Sequence, residues 1–155
     1  MPRKQSRDEQ RSRMLKTFAK WTLGTVKNET ATDLQKAVRM ESADDDGFCV
    51  CVTCGKRAHY KTVNAGHFVP GRTNAALFVE SPTPNLHVQC AYCNGPKNGN
   101  PTEYERFMVE TYGQPAVDEL KRVCAGTVQY TREEFCEMRL DYRERWKKQL
   151  ERLQP

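Results

Sequence analysis

Residues 51–55 read CVTCG and residues 90–94 read CAYCN, two C-x-x-C pairs in a chain of 155 residues. Two intervening residues let both thiolates of a pair turn toward one ion. Four thiolates complete the tetrahedral shell of zinc and leave no open position. Such a site is structural: it stabilises the fold and offers no Lewis acid to a substrate. Redox thiols are the competing reading, but they need one pair beside a thioredoxin-like βαβ pattern, which is absent. Cys49 offers a third thiolate on the N-terminal side. Cys51 and Cys54 are preferred because Cys54-Gly55 gives the knuckle its turn glycine, leaving Cys49 as a buried strand cysteine. Cys124 and Cys136 fall in predicted helices and read as packing residues.

The gap between the pairs is informative. Residues 55–89 exceed the ~15–20 residues of a simple zinc ribbon, which needs only a hairpin there. The inserted segment carries His59, Asn64, His67, Arg72, Asn74, Glu80, Asn85, His87 and Gln89. A loop stapled at its base and rich in polar side chains suits a catalytic or binding site.

Outward from this centre the chain is helical. FCVCV (48–52) alternates like a strand after the turn at Asp44–Gly47. Upstream, 5–23 reads as a basic helix with Met14, Leu15, Phe18 and Trp21 on one side, interrupted by Gly24. A second helix follows over 30–42, with Thr30 or Thr32 as N-cap. Downstream, a helix starts near Cys90. Asn100-Pro101 caps a helix over 102–112, with Gly113 as its stop, and 115–125 forms a shorter one. Thr131 and Glu134 make a capping box for a long helix. On it Phe135, Met138, Tyr142, Trp146, Leu150 and Leu153 form a stripe that packs against the body or a partner chain. The expected fold is α+β and mostly helical. Its regions are a basic helical N-terminal part (1–47), a zinc-stapled core with its following helices (48–126), and a long amphipathic C-terminal helix (127–155).

The formal net charge of +5 suits an anionic partner without naming it. Basic residues crowd the first twenty positions, as a solvated tail or a nucleic-acid arm. No apolar h-region follows the positive start, and no stretch is long enough to span a membrane. A cytoplasmic location is expected. There, seven cysteines are not a disulfide framework, and the odd number argues the same way.

C-x-x-C, then GHF (66–68), then NLHVQCAYCN (85–94) resembles the HNH, or ββα-metal, nuclease pattern. The stretch from Ala65 to Gly113 is similar, more specifically, to the phage NinG (Rap) recombination family, which is tied to nuclease action on branched DNA. The likeness is good over residues 49–125 and loose over the basic N-terminus. It implies a small ββα-metal core flanked by helices, hosting a metal-dependent endonuclease for branched DNA or Holliday junctions.

Carried over by position, the resemblance makes His67 the general base and Asn94 a ligand of a catalytic Mg²⁺ or Mn²⁺. Asn85 orients His67 or braces the strand-to-helix turn. Asn98 faces the same metal if the helix persists that far. Many HNH proteins place an acid or histidine just before the base as a metal ligand; here that residue is Gly66. The missing ligand then comes from Glu80, His87 or water. DNA-contact candidates are Arg3, Lys4, Arg7, Arg11, Arg13, Lys16 and Lys20 in the arm, and Arg57, His59, Lys61, Arg72 and Lys97 in the core. Two opposed cuts need two sites, so a homodimer is expected. The alternative is a zinc-containing DNA-binding module without nuclease activity, with Gly66 as the mark of decay.

Overall fold

The computed structural model describes residues 5–153. Arg3 and Lys4, two of the DNA-contact candidates, lie outside the described residues. The elements in chain order are α1 (Arg7–Phe18), α2 (Leu23–Glu41), β1 (Phe48–Val50), β2 (Arg57–His59), β3 (Val63–His67) and α3 (Asn74–Phe78). They continue with β4 (Leu86–Cys90), α4 (Ala91–Asn94), α5 (Pro101–Tyr112), α6 (Gln114–Cys124) and α7 (Arg132–Leu153). The fold is α+β and mostly helical, as the sequence pattern predicts.

The N-terminal half contains two helices, with the break earlier than Gly24. Thr22 is the cap of α2, its hydroxyl accepting from the Thr25 N–H at 3.1 Å. Gly24 rides in the uncommitted first turn. Thr30 and Thr32 are interior residues whose hydroxyls donate back to the Val26 and Asn28 carbonyls. Such back-bonding satisfies a hydroxyl inside a helix, which is why neither threonine needs to end one. α1 begins with a capping box between Ser6 and Glu9.

Two antiparallel sheets of two strands each follow. β1 pairs with β2, Cys49 opposite Ala58; β3 pairs with β4, from Val63 opposite Cys90 to His67 opposite Leu86. β4 runs straight into α4, for which Cys90 is the N-cap. The predicted strand over 48–52 ends at Val50 because Cys51 turns into the knuckle. Cys49 is fully buried and its Sγ lies 3.3 Å from the Arg39 carbonyl, to which it donates.

Asn100 and Pro101 are the N-cap and first residue of α5, as expected, but Asn100 caps without its side chain. It precedes α5 with φ of 50° and makes no side-chain cap; its amide donates instead toward Cys93 Sγ at 3.7 Å. At the far end, Thr131 and Glu134 do form the expected reciprocal cap.

α7 lies along α1 and α2, burying Phe135, Cys136, Leu140 and Tyr142 in the main core with Phe18, Val26 and Leu34. Of the apolar stripe, Phe135 and Tyr142 are buried within the chain, while Met138, Trp146, Leu150 and Leu153 are half-buried. A second cluster joins α5 and α6 through Tyr104, Met108, Val117 and Leu120. Among the described residues no helix is long and apolar enough to cross a membrane.

Candidate active site and metal centre

Cys51 and Cys54 sit in the turn after β1, Cys90 ends β4 and Cys93 lies in α4. Their four Sγ atoms are all within 4.8 Å of one another, an arrangement that can hold a metal ion. The turn closes where the Gly55 N–H donates to the Cys51 carbonyl at 2.9 Å, and Gly55 has φ of +72°, which glycine adopts without strain. Four thiols this close cannot ionise independently. Burial raises the Cys51 thiol, but the Thr53 hydroxyl and nearby backbone donors outweigh it and bring it down to about 6. The Lys56 backbone lowers Cys54, yet desolvation and its three sulfur neighbours push it up to about 12. A bound divalent cation removes that conflict, since it favours every thiolate at once.

Beside this cluster is a polar cleft of about 410 Å³, lined by Gln35 and Arg39 of α2, Asn64, Ala65, Gly66 and His67 of β3, and Asn94 of α4. The fold therefore brings His67 and Asn94 to one place, each as the last residue of its element. His67 Nε2 is buried without a hydrogen-bond partner among the described residues. Burial lowers the His67 pKa from its usual value, against a weaker upward pull from the Leu77 backbone, so the ring is neutral at pH 7. The following residues, Phe68 and Val69, pack into the α5–α6 cluster and hold the end of the strand.

Asn85 is fully buried below the cleft. Its Oδ1 accepts from the Val69 N–H at 2.8 Å, and its amide nitrogen donates to the Val69 and Ala76 carbonyls at 3.0 and 2.8 Å. These bonds brace the segment between β3 and α3, just after His67.

Gly66 is a close-approach glycine. A Cβ there would overlap Gln89 Oε1 outright and come within 2.7 Å of Asn94 Oδ1. Gln89 is fully buried, its amide nitrogen donating to the Gly99 carbonyl at 2.7 Å and toward the Thr53 hydroxyl at 3.2 Å, while its Oε1 has no partner among the described residues.

The other metal-ligand candidates are elsewhere. His87 Nδ1 and Nε2 are 3.1 and 2.9 Å from the hydroxyls of Tyr104 and Tyr112. Tyr104 donates to the Gly66 carbonyl at 2.8 Å, so it must accept from His87 Nδ1–H, and Tyr112 donates to Nε2. Both ring nitrogens are occupied. Glu80 is paired with Arg145, 2.8 Å away, outside the cleft lining. Asn98 lies beyond the end of α4, in an exposed turn with φ of 49°. The helix breaks at Gly95, so Asn98 is not one turn on from Asn94.

The basic residues divide. Arg7 and Arg11 reach across to the acids Glu137, Asp141 and Glu144 of α7. Arg57 pairs with Asp44, and His59 packs on Phe48 and Tyr60. Lys16, Lys20, Lys61, Arg72 and Lys97 are exposed, Lys97 lying over Tyr92. Arg13 lines a groove of about 470 Å³ with Arg139, Arg143 and Lys147. Sequence reasoning missed Gln35 and Arg39, because nothing in a helix pattern shows that α2 crosses β3.

Relatives among known proteins match a little over half of the chain. Protein ninG of Escherichia phage lambda is 35% identical over 91 residues, covering 56% of this chain and 41% of the relative. Protein ninG of Salmonella phage P22 is 33% identical over 87 residues, and that of Escherichia phage 933W likewise, with 41% and 42% of each covered. The match thus spans about two-fifths of those relatives' length. No solved structure matches. The family model described as bacteriophage lambda NinG protein matches residues 2–152, and the chain belongs to the NinG family.

Proposed function

We propose that this chain is a metal-dependent endonuclease of the HNH type, acting on branched DNA in phage recombination. The observation that carries this reading is the meeting of His67 and Asn94 in one polar cleft beside four clustered cysteines. Zinc suits those cysteines, and its role is structural because no coordination position is left open. In the cleft, neutral His67 takes a proton from water. The resulting hydroxide attacks phosphorus as the P–O bond to the leaving 3′-oxygen breaks, that oxygen taking a proton from solvent. Asn94 offers an oxygen donor, and Arg39 provides positive charge on the facing wall. A hard cation such as Mg²⁺ or Mn²⁺ would be held through the Asn94 side-chain oxygen together with the DNA phosphate, and would supply charge neutralisation there. Exposed Lys16, Lys20 and Arg13 contact the phosphate backbone, and two copies of the chain act on opposed strands.

The test is nicking of a four-way junction with and without added Mg²⁺ or Mn²⁺. Metal-dependent nicking is expected, with His67→Ala lowering its rate by about 10²–10⁴-fold while the melting temperature holds. Binding should weaken steeply with salt as phosphate counterions are released. Tight junction binding with no nicking under any metal would leave a zinc-containing DNA-binding module instead.

A further inference from the structure

α1 and α7 lie side by side, and a groove of about 470 Å³ runs between them. Its lining is one-sided in charge. Arg13 comes from α1, while Arg139, Arg143 and Lys147 stand at four-residue steps along one face of α7. No carboxylate lines the groove. Two acids of α2 offset part of this charge. Asp33 accepts from Arg139 at 2.6 Å and from Arg143 at 3.0 Å, and Glu29 accepts from Arg139 at 3.0 Å. Four cations against two carboxylates leave an excess on Arg13 and Lys147, which are exposed and without an ion pair among the described residues. Arg143 uses only its Nε on Asp33, so its terminal nitrogens keep their donors. The adjoining groove is balanced, with Arg7 and Lys148 against Glu144 and Glu151, so the excess belongs to this end.

The same groove has an aromatic wall. Half-buried Trp21 lines it, its ring stacked on fully buried Phe18 with 5.8 Å between centroids. Cations alone would suit any phosphate. An indole beside them suits a base with a free face, and in a duplex those faces are covered by neighbouring pairs.

We propose that the α1–α7 groove binds an unpaired nucleotide of a DNA strand, its base against Trp21 and its phosphates on Arg13, Arg143 and Lys147. The choice of DNA rests on the proposed action on branched DNA, but the groove shares no lining residue with the cleft of His67. Freeing a base costs least where a strand already leaves its duplex, which is what a branch point provides. The groove then selects the branch, and the cleft acts on the backbone.

The experiment is fluorescence anisotropy of the zinc-loaded full chain without added Mg²⁺ or Mn²⁺. It compares a labelled thymidine single strand with a blunt duplex of the same length. Trp21→Leu should weaken strand binding by about 5–100-fold and leave the duplex within about twofold. Arg13→Gln and Lys147→Gln should each weaken strand binding about fivefold at about 0.1 M salt, and each lower the logarithmic salt slope by about 0.7. An abasic strand keeps the phosphates and loses the bases; wild type should bind it as weakly as Trp21→Leu binds the intact strand. That arm decides the matter should Trp21→Leu fail to fold. Equal losses for strand and duplex in Trp21→Leu overturn the proposal, as do equal affinities of wild type for intact and abasic strands. Wild-type strand affinity in Arg13→Gln and Lys147→Gln overturns it too. The two readings fail separately. A chain that holds the strand in this groove yet never nicks DNA loses the nuclease reading alone. One that nicks a junction while the groove variants bind the strand like wild type loses the groove alone.

Discussion

His87 lies between two tyrosine hydroxyls, and burial drives its pKa down to about 4. The unfolded chain therefore takes the proton first. Stability is fully present above about pH 6.5 and is lost as the pH falls toward about 4. By pH 5 the loss is about 2 kcal/mol, so the advantage of wild type over His87→Gln in urea denaturation should shrink by that amount between pH 7.5 and 5. A constant difference would mean that the ring is already solvated in the folded chain. The histidines also show what a sequence reveals at this scale. His67 could be singled out because its neighbours form a motif with the cysteines. The role of His87 could not, since its partners stand 17 and 25 residues downstream on α5, whose placement no local pattern specifies. Gln89 was visible only as one polar residue among many, because its burial depends on the missing side chain of Gly66 across the β3–β4 pair.

α7 illustrates the same division among elements. Its cap and its apolar period were both legible, and each is local. Its partner was not, because the decisive contact is polar. Arg139 is 6% exposed and donates through Nε to Asp33 Oδ2 at 2.6 Å; Arg143 and the Trp146 indole also donate to Asp33. A buried arginine on the inner face interrupts an apolar stripe and hides the helix-to-helix match. Removing one partner of a buried pair strands the other. Asp33→Ala should therefore destabilise the fold by about 3–5 kcal/mol in chemical denaturation. A loss under about 1 kcal/mol would show that water reaches Arg139 and that packing alone joins α2 to α7. The Gly24 boundary was misplaced for a related reason. Glycine is costly in a helix interior but tolerable in a first turn, and Thr22 supplies the cap that makes it one.

On the scale of the whole molecule, the buried apolar residues form one main cluster and smaller ones, and the cysteines of the two knuckles pack in the smallest of them. Cys54 and Cys90 are 36 residues apart, so a metal between the knuckles closes a long loop. One equivalent of zinc should survive purification. Cys90→Ser should lose it and expose residues 51–99 to proteolysis, while the α1–α2–α7 packing stays protected. Equal protection of that segment in wild type and variant would mean that the knuckles fold without metal. The cleft has a second dependence, on the order in which the ribosome delivers its parts. Gln35 and Arg39 wall the cleft from α2, and α2 is held by α7 through a pair whose members, Asp33 and Arg139, are 106 residues apart. Synthesis runs from the N-terminus, and contacts of such separation close last. A nascent chain that has already produced His67 and Asn94 also holds α2, but Asp33 stays unpaired until α7 emerges, so the α2 wall of the cleft gains its buried anchor last.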